Sequence, residues 1–179
     1  MRIIAGEHRG ARIFAPPGQD TRPTSDRARE AAFNLIGPVD GAEVLDLFAG
    51  SGAMGLEALS RGAARAVFVE TDRDAARAID RNLKKLRLTG AIVLQRDALQ
   101  VLAEEAARGR RYDLVLVDPP YEMFISLQDG LSHRLPAVLA PDGIVVVETS
   151  AREEPELGTL SLRTSRRYGA ARITIFEHP

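Results

Sequence analysis

Three short stretches of this sequence carry residue types suited to chemistry. The first is "DLFAGSGAMG", Asp46 to Gly55, in which Gly50, Gly52 and Gly55 satisfy G-x-G-x-x-G. Glycines in that spacing let the backbone turn tightly and approach a ligand closely, with a helix N-terminus behind them. The second is Glu70, 20 positions after Gly50, the interval at which an acid accepts hydrogen bonds from ribose hydroxyls. The third is Asp118-Pro119-Pro120-Tyr121, at the end of the apolar run Leu114 to Val117. A buried strand has no structural need for an acid and two rigid prolines at its tip.

The glycine loop and Glu70 together read as a site for an adenosine cofactor. Nicotinamide cofactors use the same pattern, so the neighbouring acids must choose between them. Asp46 stands four residues before Gly50, where a carboxylate would repel a pyrophosphate. S-adenosylmethionine has no phosphate and carries a sulfonium and an amino group, both of which a carboxylate favours. Asp97, in "LQRDAL", can accept the adenine amino group or, alternatively, cap the next helix. This set favours S-adenosylmethionine, and Phe48, Thr71 and Ala98 complete the cofactor residues expected. No metal site is expected.

Asp118-Pro119-Pro120-Tyr121 suits the acceptor of a methyl group. The exocyclic amine of a nucleobase is a poor nucleophile, because its lone pair is delocalised into the ring. Two acceptors around its N–H bonds can orient it. Asp118 supplies one, and the Pro119 carbonyl supplies the other if proline locks the backbone. Tyr121 offers a ring on which the base can stack. The rate then comes from alignment and preorganised electrostatics, without a strong base.

These residues must be held by a regular frame. Strands are predicted at "EVLDLFA", "AVFVE", "AIVLQ", "YDLVLVD", "GIVVVET", near 159–165 and near 171–177, the last two as a hairpin around Tyr168-Gly169. Helices are predicted at "AMGLEALSRG", "RDAARAIDRNLKKLRL", near 98–108 and near 126–139. Alternation of this kind implies a doubly wound α/β fold on a mainly parallel sheet, with ligands beyond the carboxyl ends of the strands. Ahead of this frame, "RIIAG" and "GARIFA" read as two short strands around Gly6–Gly10. A helix over 25–36, capped by Thr24 or Ser25, would turn Ala28, Ala31, Ala32 and Leu35 to one face.

Composition bounds the class. The chain has 179 residues, 45% hydrophobic and 27% charged, which suits one globular domain. No apolar run approaches the roughly 20 residues of a membrane span, the N-terminus lacks a signal-peptide core, and there is no cysteine. A cytoplasmic protein is the expectation. Net charge is −1, yet 22 of the 24 basic residues are arginine, with Lys84 and Lys85 the exceptions. Arginine suits contacts with phosphate and bases, although a GC-rich genome favours it as well.

Taken in order, "RIIAGEHRGARI", "TRPTSDRAREAAFNLI", "VLDLFAGSGAMGLEALSRGA", "DLVLVDPPYE" and "RRYGAARITIFE" resemble one family from end to end. It is the RsmD family of bacterial 16S ribosomal RNA guanine-N2 methyltransferases. The resemblance implies a Rossmann-like class I S-adenosylmethionine-dependent methyltransferase fold, with a seven-stranded sheet whose last strand is antiparallel. It also implies methylation of the 2-amino group of a guanine. An N-terminal β-hairpin over 1–20 and a methyltransferase domain over 21–179 are the expected units. The chain has no room for a separate target-recognition domain, which points to a splayed or easily flipped base in RNA.

Two basic clusters are candidates for RNA contact. Arg9, Arg12, Arg22, Thr24 and Arg29 belong to the first, which Glu7, Asp20, Asp26 and Glu30 dilute; Arg166, Arg167 and Tyr168 belong to the second. A plain solvated surface is the alternative for the first cluster, and helix capping for Arg22-Pro23-Thr24. His133 and His178 read as surface residues. The expected partner is 16S ribosomal RNA, probed as part of a 30S assembly intermediate by a monomer with no membrane attachment. The competing readings are a nicotinamide oxidoreductase on the same glycine loop, and a ribosome-assembly factor without activity.

Overall fold

The structure is a computed structural model, and it describes residues 1–16 and 26–179. The predicted Arg22 contact, the Thr24 contact and the Thr24 or Ser25 cap lie outside the described residues.

Seven strands form one sheet in the order β3-β2-β1-β4-β5-β7-β6. They are β1 Glu43–Asp46, β2 Arg65–Val69, β3 Ala91–Leu94, β4 Tyr112–Val117, β5 Leu139–Ser150, β6 Ser161–Tyr168 and β7 Ala171–Glu177. The pairs among β1 to β5 are all parallel, and β7 runs antiparallel to both β5 and β6. This is the expected mainly parallel sheet with its last strand reversed. The helices are α1 Asp26–Ile36, α2 Ala53–Ser60, α3 Arg73–Leu86, α4 Ala98–Ala107 and α5 Tyr121–Arg134, which a 3-10 turn over Leu135–Ala137 extends.

The strands alternate between two cores. Val44, Phe68, Leu116 and Ile144 point into the layer under α2 and α3, while Leu45, Val67, Val115 and Val145 point into the layer under α4 and α5. That is the period-2 pattern of strands buried on both faces. The chain reverses between β1 and β4, whose neighbours lie on opposite sides, so their carboxyl ends open a crevice.

The N-terminal region forms the expected hairpin, shorter than the two strands read from the sequence. One antiparallel bridge joins Arg2 and Arg12, and the N–H groups of Ile3, Gly10 and Ile13 donate to the carbonyls of Ala11, Ile3 and Met1 at 2.9, 2.8 and 3.2 Å. Its other polar groups turn to the main domain. The Ile4 and Ala5 N–H groups donate to the Glu57 carboxylate at 2.8 and 3.0 Å, and the Glu7 N–H donates to the Ser60 carbonyl at 2.8 Å. Ile3 and Ile13 are buried in the core under α2 and α3. Gly6 makes this approach possible, because at its φ of +83° a Cβ would stand 1.8 Å from the Ser60 carbonyl oxygen. Residues 1–16 are therefore an arm packed along α2 and α3.

Two further expectations are corrected. Helix α5 begins at Tyr121, five residues before the predicted start, because Pro120 stands at its N-cap with φ −49° and its carbonyl accepts from the Met123 N–H at 2.8 Å. On α1 the buried residues are Ala28, Arg29, Ala32 and Phe33. The buried stripe thus takes in Arg29 and Phe33, leaving Ala31 and Leu35 half-buried.

Candidate active site

The carboxyl ends of β1, β2, β3 and β4 converge on one cavity of about 390 Å³. Its lining includes Asp46, Phe48, Gly50, Glu70, Thr71, Asp97, Ala98, Asp118, Pro119 and Pro120. Ten of the twelve residues expected at the cofactor and the reacting amine are thus brought together from across 75 positions of sequence. Gly52 and Tyr121 are not among the lining residues.

Gly52 nevertheless shapes the site. It holds the N-cap of α2 in the left-handed conformation, φ 80° and ψ 10°, which glycine adopts without penalty. Gly55 has a packing role, since a Cβ there would stand 2.3 Å from the Phe68 ring. Glu70 closes the loop from the opposite side. One carboxylate oxygen accepts from the Gly50 N–H at 2.8 Å and the other from the Asp72 N–H at 2.8 Å.

Asp46 is almost fully buried and accepts from the Gly55 N–H at 3.0 Å. Burial pushes its carboxyl up to about 7, against the Gly55 bond, and the nearby Asp118 and Glu70 charges add to the rise. Asp97 caps α4 by accepting from the Gln100 N–H at 3.0 Å, and it lines the cavity as well. The capping and ligand-facing readings of Asp97 are therefore compatible.

Among the described residues, the lining carries four acidic side chains, Asp46, Glu70, Asp97 and Asp118, against one basic side chain, Arg96, which pairs with Glu104. Such a cavity suits a ligand bearing positive charge and opposes a pyrophosphate. The fit to S-adenosylmethionine follows from this charge set and from Gly50, where a Cβ would meet no atom within 4 Å.

The sequence reading missed a whole wall. Met1, Ala15 and Pro16 of the arm and Met123 and Leu127 of α5 also line the cavity. The α5 pair could have been found from its i, i+4 spacing once the helix start was placed at Tyr121. The arm residues carry no local signal, since their place depends on packing against α2 and α3.

The candidate RNA residues separate into groups. Arg9 and Arg12 are exposed on the arm, and Arg166 and Arg167 are exposed on β6. Arg29 is corrected: it is 0% exposed, donates to the Arg2 carbonyl, and pairs with Asp26 at 3.0 Å and Glu57 at 3.6 Å. It holds the arm and α1 to α2 and has no surface to offer RNA. Tyr168 is half-buried against the core under α2 and α3. Arg172, the neighbour of Arg167 across β7, is buried and pairs with Glu154 at 2.9 Å. His133 is exposed, whereas His178 is half-buried and lies 3.3 Å from the Leu139 carbonyl.

The family model described as conserved hypothetical protein 95 matches residues 1–177. YlbH of Bacillus subtilis is 38% identical over 186 residues, covering 99% of this chain and 98% of that protein. The ribosomal RNA small subunit methyltransferase D of Escherichia coli K12 is 44% identical over 122 residues, covering 68% of this chain and 60% of that protein. The solved structure of yhhF from Escherichia coli matches with a TM-score of 0.87 and 33% identity, covering 99% of this chain and 97% of that one.

Proposed function

We infer the reaction from one premise: the chain belongs to the RsmD family, the small-subunit ribosomal RNA methyltransferases matched by the model for conserved hypothetical protein 95. It is accordingly a ribosomal RNA methyltransferase. The finer reading is transfer of a methyl group to the 2-amino group of one guanine in 16S ribosomal RNA. The observation that carries it is that Asp118-Pro119-Pro120 shares one cavity with Gly50, Glu70 and Asp97.

S-adenosylmethionine, when bound, supplies an electrophilic methyl group on a sulfonium. On this reading Glu70 accepts the ribose hydroxyls, Asp97 the adenine amine, and Asp46 favours the cationic end. Phe48, Thr71 and Ala98 frame the adenosine, while Gly50 and Gly52 give the loop its close approach. Asp118 and the Pro119 carbonyl each accept one N–H of the guanine amine and turn its lone pair toward the methyl carbon. Positive charge growing on the amine nitrogen as it takes the methyl group would be stabilised by the Asp118 carboxylate beside it. The proton that the methylated ammonium then sheds would pass to solvent. Tyr121, first residue of α5, retains a part at the outer edge of the base.

Arg9, Arg12, Arg166 and Arg167 are the proposed phosphate contacts among the residues first considered. We hold the substrate to be a 30S assembly intermediate, the enzyme to be monomeric and cytoplasmic, and the chain to divide into an N-terminal β-hairpin extension over 1–20 and a catalytic domain over 21–179. Among the described residues, no helix is long and apolar enough to cross a membrane.

The test is mass spectrometry of ribosomal RNA nucleosides from cells with and without the gene, paired with calorimetric titration of the pure protein. Loss of N2-methylguanosine and binding of S-adenosylhomocysteine are expected. Binding of NAD alone would make the glycine loop that of an oxidoreductase, and an unchanged nucleoside profile would leave an assembly role without chemistry.

A further inference from the structure

We propose that the exposed half of α3, continued by Arg12 of the arm, is a second RNA surface that grips the sugar–phosphate backbone away from the target base. The proposal rests on the reading that the substrate is ribosomal RNA.

The helix has two unlike halves. Ala75, Ile79, Leu83 and Leu86 are buried. On the opposite side Arg73, Arg77, Arg81 and Lys85 recur every fourth residue, and all four are exposed. Successive members rise about 6 Å along the axis and the four span about 18 Å, the scale on which phosphates follow one another along a strand. Lys84 and Arg87 flank this row, so the chain's only two lysines both stand on it. Asp74 and Asp80 are the acids on the same side. Among the described residues, the one ion pair of this face joins Arg77 to Asp74 at 3.7 Å.

Such a row works against the helix. Like charges at i, i+4 repel and lower helix stability. Arg87 adds a second cost. It caps α3 with φ 53° and ψ 33°, and it is the one non-glycine residue with positive φ among the described residues. Glycine is the residue that fits this position, yet a long cation occupies it. Lys84 and Lys85, in the last turn, suit the helix C-terminus, but the repulsion along the row and the strain at Arg87 both act against stability, and a solvated helix face requires neither. A polyanion recovers the loss, because phosphates release their counterions on contact with such a row.

The row is joined to the arm. The Arg81 guanidinium lies 3.6 Å from the centre of the Phe14 ring and the Lys85 ammonium 4.7 Å from it. Lys85 also donates to the Arg12 carbonyl at 2.5 Å. The N-terminal end of α3 follows Glu70 and Thr71, both in the cavity lining. A strand of RNA along α3 would therefore run beside the cavity and meet Arg12 at its far end.

The experiment uses the full chain and two substrates prepared from cells lacking the gene: intact small subunits and protein-free 16S RNA. The variant is Arg77→Ala/Lys84→Ala/Arg87→Gly, none of which lines the cavity. Its KM for both substrates should rise at least tenfold, and the slope of log KM against log salt should shrink by about two to three. The kcat at saturating RNA and the affinity for S-adenosylhomocysteine should be unchanged. Arg77→Lys/Lys84→Arg, which keeps the charge, should retain the wild-type KM. Arg87→Gly alone gives the sharpest contrast, since it should raise the melting temperature while weakening RNA. Unchanged KM and salt slope would overturn the proposal. So would a KM rise confined to intact subunits, which would assign the face to a ribosomal protein, or loss of S-adenosylhomocysteine binding, which would make the row structural. No methyl transfer by the wild-type protein would remove the reaction itself, and this surface with it.

Discussion

At the scale of single residues, Asp118 separates two kinds of catalysis. If its carboxylate orients the amine, an amide in its place retains a carbonyl acceptor and part of the rate. If the carboxylate must take the proton, the amide is as inactive as a methyl group. We expect Asp118→Ala to lower the single-turnover rate by about 10²–10³-fold, the usual size for losing one preorganised polar group, and Asp118→Asn to lose distinctly less. Both should bind S-adenosylhomocysteine as the wild type does. Equal and complete inactivation of the two variants would replace orientation by base catalysis. Glu70 answers a different question, since its carboxylate already holds the Gly50 N–H at 2.8 Å. Binding a ribose there means sharing or exchanging that bond, which no spacing rule anticipates.

Among the elements, those governed by local pattern were legible and those governed by contact were not. The strands around the site announce themselves by period 2 and by their apolar runs, so Asp46, Glu70, Asp97 and Asp118 were correctly read as strand-tip acids. All four line the cavity. The arm's hairpin was legible but its docking was not, because Glu57 and Ser60, more than fifty positions away in sequence, take the N–H groups of Ile4, Ala5 and His8. Arg29 was misread for a related reason. A charged residue on a helix normally points to water, and the Asp26 and Glu57 carboxylates together with the Arg2 carbonyl stabilise an inward guanidinium here. Asn82 shows what the arm contributes. This buried side chain accepts from the Phe14 N–H at 2.7 Å and donates to the Phe14 carbonyl at 2.9 Å and the Ser51 carbonyl at 3.3 Å. It thus ties the arm to the glycine loop. Asn82→Ala leaves those groups without partners, at about 1–3 kcal/mol for a buried one. The melting temperature should drop, and because Met1, Ala15 and Pro16 form part of the cavity wall, affinity for S-adenosylhomocysteine should drop with it. Calorimetry well below the melt checks this, and an unaltered dissociation constant would detach the arm from cofactor binding.

Over the whole molecule, the site is built at the expense of stability, and pH exposes that trade. Asp46 is buried in the sheet with its carboxyl raised from 3.8 to about 7 by burial and by the Asp118 and Glu70 charges. A carboxyl whose folded value is raised favours the folded state fully below its unfolded value. That contribution is lost progressively as pH climbs from about 4 and is gone above about 7, where the folded protein has had to ionise a buried group. The span of the shift corresponds to a cost on the order of 4 kcal/mol in the free protein. A bound cation beside Asp46 offsets it, so ligand affinity and proton release are linked: S-adenosylmethionine should bind more tightly as pH rises from 6 to 8, with a proton released near pH 7. Asp46→Asn isolates the term, because an amide can still accept from the Gly55 N–H and never ionises. The melting temperatures of wild type and Asp46→Asn, both without ligand, should lie close together near pH 4, diverge as pH rises toward about 7 and differ by a constant amount above it, with the variant the more stable. Cofactor affinity of the variant should be weaker at pH 8 and nearly independent of pH. A melting difference that is the same at pH 5 and pH 8.5 would show that Asp46 is ionised throughout, and that the fold bears its charge without the cofactor's help.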